Sequence, residues 1–284
     1  MGSRAAGGEG QQPVFTSGAA LSPCVAENDT RTWQLWIDDT PRAGSYNMAI
    51  HRALLDRAER ANESWVRLYT WKPHCLSFGR HEPAARRYDA ERIASLGLDT
   101  VRRPTGGRAV WHSRELTYAI AAPCSSFGSL RQAYLDIHGT LARALHTLGV
   151  AASLAPPQSA IPVEAGACFA RPAGGEVMVG RRKVVGSAQL RHGRGFLQHG
   201  SILLHDEQQV VTALMKGEFE PAAAAAPALL MGGESLAVLI DAISQAFQAH
   251  WRATWHTLSW SEEILRAASL YVPQFRSAAW TWER

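Results

Sequence analysis

Val177-Met178-Val179-Gly180-Arg181-Arg182-Lys183-Val184-Val185 and, further on, Phe196-Leu197-Gln198-His199-Gly200-Ser201-Ile202-Leu203-Leu204 are short apolar runs punctuated by glycine. In the first, Val177 to Val179 and Lys183 to Val185 flank Gly180-Arg181-Arg182, which reads as a hairpin with Lys183 on its second strand. The second run reads as the next strand. Working outward, Leu130, Tyr134, Ile137, Leu141, Leu145 and Leu148 mark an amphipathic helix that stops at Gly149. Its histidines are expected on the surface. An earlier helix is predicted from Ser45, a suitable cap, through the stripe Tyr46, Ile50, Ala53, Leu54, Ala58 and Ala61. Trp65 to Trp71 reads as a strand stopped by Pro73, and Leu76 to Gly79 as a second one. Leu236, Leu239, Ile240, Ile243 and Phe247 mark a late helix, and a last short helix is expected near 261–271. The alanine run at 222–226 reads as a connection. Strands therefore come in groups separated by helices, which favours an α+β fold, a mixed, largely antiparallel sheet flanked by helices, over a doubly wound parallel sheet.

The chain has 284 residues, 46% hydrophobic and 19% charged, enough to bury the core of a large domain. Residues 1–28 are rich in Gly, Ala, Ser and Gln and are expected to be a disordered leader, leaving 29–284 as the folded domain. No apolar run reaches bilayer length and no secretory signal opens the chain, so a cytoplasmic protein without membrane contact is expected. Cys24, Cys75, Cys124 and Cys168 show no Cys-x-x-Cys spacing, and the 11 histidines show no His-x-x-x-His pair. A disulfide framework and a metal site are both disfavoured. The net charge of +4 points to an acidic partner. Without a lysine-rich tail or a known binding motif, a small acidic carrier protein fits as well as nucleic acid, and no nucleic-acid partner is expected.

Arg102-Arg103-Pro104-Thr105-Gly106-Gly107-Arg108-Ala109-Val110-Trp111-His112 joins a basic entry to a double glycine. Adjacent glycines let backbone approach a ligand and offer free amides to a carbonyl or phosphate oxygen. A glycine turn in a hairpin is the plainer alternative. No P-loop is present, because no Gly-Lys-Ser/Thr follows. Only Lys72, Lys183 and Lys216 are lysines among the 29 basic residues, so a lysine kept beside Arg181 and Arg182 suggests that a point charge is wanted there.

The Arg102–His112 stretch resembles the hallmark of the lipoate-protein ligase and octanoyltransferase family. Trp71-Lys72-Pro73 with Leu76-Ser77-Phe78-Gly79 resembles the family's early strand pair. Lys183-Val184-Val185-Gly186-Ser187-Ala188-Gln189 with Leu197-Gln198-His199-Gly200-Ser201-Ile202-Leu203-Leu204 resembles its core signature. The resemblance runs over roughly residues 33–282 and implies a biotin/lipoate protein ligase-like catalytic domain. Gly186-Ser187-Ala188-Gln189 and Ala167-Cys168-Phe169 resemble the branch that uses a cysteine nucleophile. That branch implies transfer of octanoyl from acyl carrier protein to a lysine of a lipoyl domain, typically the glycine-cleavage H protein, with no cofactor and no ATP. A departure lies at Asn47-Met48-Ala49-Ile50, which is followed by His51-Arg52 where the family has two acidic residues, and this bears on partner preference.

Cys168 is then the expected nucleophile, since a thiolate attacks a thioester well and a covalent acyl-enzyme divides the transfer into two similar steps. An inert buried thiol is the alternative. Lys183 would lower the thiol pKa and hold the developing oxyanion, or else be a solvated hairpin lysine. The resemblance makes Arg103, Thr105, Gly106, Gly107, His112, Gly186, Ser187, Ala188, His199 and Gly200 candidates for the substrate pocket. His199 is read as satisfied by backbone groups near that pocket, with proton relay the less favoured role. Two rival functions remain: an ATP-dependent lipoate or octanoate ligase working through an acyl-adenylate, and a non-catalytic paralogue that binds acylated carrier proteins. Acyl length, the acceptor domain and the oligomeric state are not readable from the chain.

Overall fold

The computed structural model describes residues 31–156, 174–217 and 235–283, so the expected leader, Cys168 and the alanine run lie outside the described residues. In chain order the elements are β1 Thr32–Ile37, α1 Gly44–Arg60, β2 Ser64–Tyr69, β3 Cys75–Phe78, α2 Ala84–Arg87, α3 Ala90–Ser95, β4 Asp99–Arg102, β5 Val110–His112, β6 Glu115–Pro123, α4 Leu130–Thr147, β7 Ala152–Leu154 and β8 Val177–Val179. There follow β9 Arg182–Lys183, β10 Val185–His192, β11 Gly195–Leu203, α5 Gln209–Ala213, α6 Leu236–His250, β12 Thr254–Leu258, α7 Glu262–Ser269, α8 Val272–Arg276 and α9 Ala278–Trp282.

The main sheet has six strands in the order β10-β11-β6-β2-β1-β12. From β10 to β2 the pairs are antiparallel, and β1 runs parallel to both β2 and β12, the mixed sheet expected from the sequence. Side chains alternate across a strand, so each strand feeds two cores. On β6, Leu116, Tyr118, Ile120 and Ala122 join a core with Ile137 and Leu141 of α4 and Ile243 and Phe247 of α6. Ala119 and Ala121 join the opposite core with Met48 and Leu54 of α1, Ile264 of α7 and Phe275 of α8. Burial on both faces is why every residue of β6 is hidden. Each fully buried Leu, Ile or Phe contributes roughly 1.5–3 kcal/mol of transfer free energy.

A smaller sheet has the order β4-β3-β5, with β4 parallel and β5 antiparallel to β3. The double-glycine stretch is therefore not a hairpin turn. It carries the chain across the end of β3, from one neighbour to the other. The crossing is close: a Cβ on Gly79 would stand 1.8 Å from the Gly107 carbonyl oxygen, and Gly107 itself has φ +91°. Arg102 clamps this region, donating from Nη1 to the carbonyls of Gly79 (2.8 Å) and Glu82 (2.7 Å) and from Nη2 to that of Thr281 in α9 (2.9 Å).

Local readings shift in instructive ways. Ser45 does not cap α1; the cap position is Ala43, which has no capping side chain, and the Gly44 N–H instead donates to Asp99 Oδ2 at 2.6 Å. A carboxylate from β4 satisfies the helix start that a local serine was expected to satisfy. Tyr46, placed in the apolar stripe, is exposed. The Gly180 hairpin forms, with Met178 opposite Lys183, but its second strand divides: Val185 pairs with Ile202 and enters the main sheet as the start of β10. His138 on α4 is completely buried, against the expectation of surface histidines.

Candidate active site

The glycine crossing faces the β10-β11 end of the main sheet, and a cleft opens between them. Its empty space, mouth included, is about 330 Å³, and Arg103, Gly107, Val110, His112, Gly186, Ser187, Ala188, His199, Gly200 and Ser201 line it. Eight of the residues expected at a pocket thus line one cleft. Thr105 and Gly106 stand behind it: Thr105 Oγ1 bonds His199 Nε2 at 2.7 Å, and the Gly106 carbonyl accepts from Arg103 Nη2 at 3.3 Å. Val110 and Ser201, not singled out by sequence, complete the lining.

On the side toward α1, the wall is a chain of buried polar groups. Arg103 Nη1 donates to the Ser77 carbonyl (2.8 Å) and to Ser77 Oγ (2.6 Å), while Nη2 donates to the Arg108 carbonyl (2.7 Å). Ser77 Oγ receives that bond, so its own hydrogen is directed to His112 Nε2 at 2.6 Å. His112 Nδ1–H then donates to Glu115 Oε1 at 2.6 Å, which also accepts from Ser201 Oγ (2.8 Å) and Thr117 Oγ1 (2.7 Å). Trp71 stacks on the His112 ring with centroids 3.9 Å apart. His199 is held by a side chain rather than by the backbone groups expected, and burial, with Arg103 and His112 nearby, keeps its imidazole well below the ordinary histidine pKa.

His51 lies behind His199, with ring centroids 4.8 Å apart, and is fully buried. The departure at His51 therefore cannot act on a partner's surface, because its side chain faces the site from inside α1. Arg52 is the outward one, paired with Asp56 Oδ1 at 3.0 Å.

On the side toward α4 the groups are neutral. His138 Nδ1 lies 2.7 Å from the Gly175 carbonyl, an acceptor only, so Nδ1 carries the hydrogen and Nε2 presents a lone pair to Ser187 Oγ at 2.8 Å. Burial first, then the charge of Lys183, lowers the His138 pKa to about 4. Tyr118 Oη lies 2.6 Å from Ser187 Oγ and receives Gln198 Nε2 at 2.9 Å, and Gln198 Oε1 in turn accepts from Gln189 Nε2 at 2.8 Å. Burial pushes the Tyr118 phenol up to about 12, so it remains a donor. Gly200 makes the arrangement possible: a Cβ there would meet Ser187 Oγ at 2.5 Å and Tyr118 Cε1 at 2.8 Å.

Lys183 is buried beside this network, not in the lining, and its ammonium lies 2.6 Å from Glu176 Oε1. It is not a solvated hairpin lysine. The described residues before and after Cys168 are tied together here, since the Gly175 N–H donates to the Ala155 carbonyl (2.8 Å) and the Ala155 N–H to the Glu176 carbonyl (2.7 Å). Of the described cysteines, Cys75 is fully buried, and burial together with Asp99 pushes its thiol pKa well up. Cys124 packs against the α4-side core, away from the cleft lining. Among the described residues, no cluster of His, Cys, Asp or Glu is arranged to hold a metal, and no helix is long and apolar enough to cross a membrane.

The lipoyl protein ligase A/B catalytic domain model matches residues 43–231, and the chain belongs to that family. Among curated relatives it is 38% identical over 196 residues to Octanoyltransferase LipM of Kyrpidia tusciae, covering 66% of this chain and 71% of the relative. To Octanoyltransferase LipM of Exiguobacterium sibiricum it is 30% identical over 275 residues, covering 89% of this chain and 99% of the relative. The fold is similar to that of protein Ta0514 of T. acidophilum with bound lipoic acid, with a TM-score of 0.72 at 17% identity over 90% of this chain and 100% of that one.

Proposed function

We propose that this chain is an octanoyltransferase of protein lipoylation, which takes octanoyl from acyl carrier protein, holds it as a thioester on Cys168 and passes it to a lysine of a lipoyl domain of the H protein type, without ATP. One observation carries the reading: in a chain 38% identical over 196 residues to Octanoyltransferase LipM of Kyrpidia tusciae, the glycine crossing and the β10-β11 edge line the same cleft. Val110 and the glycine backbones offer a narrow, largely apolar surface suited to an alkyl tail. In this reading Lys183, buried and ion-paired with Glu176, supplies the positive charge that favours a thiolate and an oxyanion. The ligase alternative asks Arg103 to face phosphate oxygens, yet its guanidinium donates to Ser77, Gly106 and Arg108.

Intact-protein mass spectrometry after mixing with octanoyl-acyl carrier protein, without ATP, tests this. An octanoyl adduct that hydroxylamine removes, absent in Cys168→Ser, is expected. Acylation of a lipoyl domain only when free octanoate and ATP are supplied would establish the ligase instead.

A further inference from the structure

We propose that His51 is a positioning residue of the cleft: its imidazole, buried under α1, holds the ring of His199 against Thr105 and so sets the cleft wall. His51 belongs to an arc of rings that joins the two histidines of the lining, His112 and His199. Trp71 stacks on His112 with centroids 3.9 Å apart, and Tyr69 follows Trp71 at 5.8 Å. His51 then meets Tyr69 edge-on at 5.5 Å and His199 edge-on at 4.8 Å. Edge-on approach at such separations is a favoured geometry for ring pairs. The sheet makes the arc possible. In register, Ala119 of β6 stands between Arg67 of β2 and His199 of β11, so the middle of that row is only a methyl group beneath α1, which packs on β6 and β11.

Stability does not account for an imidazole at this place. His51 is fully enclosed, and neither of its ring nitrogens has a hydrogen-bond partner among the described residues. A polar atom buried without a partner loses its hydration and gains no bond in return, whereas an apolar side chain of the same shape carries no such cost. The Tyr69 hydroxyl and Arg67 Nη1 are without a partner too, so the deficit is concentrated in one layer. What the ring does make is its contact with His199, whose Nε2 lies 2.7 Å from Thr105 Oγ1 of the glycine crossing. His199 is thus gripped from two sides, by the crossing and by α1. Burial first, then His199 and Arg67, hold the His51 pKa well below the ordinary histidine value, so the grip is that of a neutral ring.

The effect on activity rests on the reading of the cleft given above, so the test has one readout that depends on it and two that do not. In the full chain, His51→Leu removes the ring and His51→Phe keeps one. Octanoyl transfer by His51→Leu should fall about 10-fold in kcat/KM, short of the roughly 100-fold that a misplacement of about 1 Å can cost. Its melting temperature should be no lower than that of wild type, and the imidazole nitrogen resonances of His199 should move. His51→Phe should bring both transfer and the carbon resonances of the His199 ring back toward wild type. Tyr69→Leu, which takes away the ring behind His51, should move the His199 resonances in the same direction by less. Unmoved His199 resonances in both leucine variants, or transfer lost only in step with stability and not recovered by phenylalanine, would overturn the assignment. If the wild-type chain transfers no octanoyl, the proposed function falls, and the His199 resonances and the melting temperature still decide the role of His51.

Discussion

Toward α1, the cleft wall is built around a guanidinium and a carboxylate, Arg103 and Glu115, joined through Ser77 and His112; toward α4, it is built from the neutral string Gln189, Gln198, Tyr118, Ser187 and His138. The first network ties β3, the glycine crossing, β5 and β6 to one another. Its hydrogen bonds run between parts of the wall, so its role is to hold the crossing against the sheet. The second ties β10, β11 and β6 to α4, through the Leu130 carbonyl and His138, and presents the Ser187 hydroxyl at the cleft.

The largest effect should come from breaking the first network. Arg103→Ala removes charge-assisted bonds to Ser77 and to the Gly106 and Arg108 carbonyls, and should destabilise the protein by about 3 kcal/mol or more, measured by denaturant unfolding. A smaller effect is expected on the second. Gly200→Ala places a methyl 2.6 Å from the Gly186 carbonyl oxygen and 2.5 Å from Ser187 Oγ, so about 1–3 kcal/mol of stability should be lost. Denaturant unfolding measures this loss too.

The smallest and most graded effect is that of pH. Burial lowers the His138 pKa from 6.5 to about 4, and lowers those of His51 and His199 as well. The unfolded chain therefore takes up protons first, so this contribution is complete above about pH 6.5 and is lost as pH falls toward 4. Melting temperature should drop across that window, and His138→Gln should flatten the drop. An unchanged slope in the variant would show that His51 and His199 dominate.

The cleft lining was legible through the family resemblance, which marked two stretches: Arg103 to His112 supplies one side and Gly186 to Ser201 the other. The networks behind it were not. Thr105 meets His199 and Ser201 meets Glu115 only through the folded sheet, and no local spacing announces such pairs. His138 did leave a signal. It stands four residues after Tyr134 and three before Leu141, on the same stripe that marked α4 as amphipathic, so a buried polar partner was implied. The edge strand β12 was missed because its residues are half-buried or exposed and carry no clean alternation. The start of α1 was misplaced because its partner, Asp99, comes from a distant strand.

A crystal structure of the protein carrying an octanoyl group would test most directly whether this cleft is the acyl site. The account predicts the alkyl chain between Gly107 and Val110 on one side and Gly186 to Ala188 on the other. An octanoyl chain bound elsewhere, with this cleft closed, would contradict it.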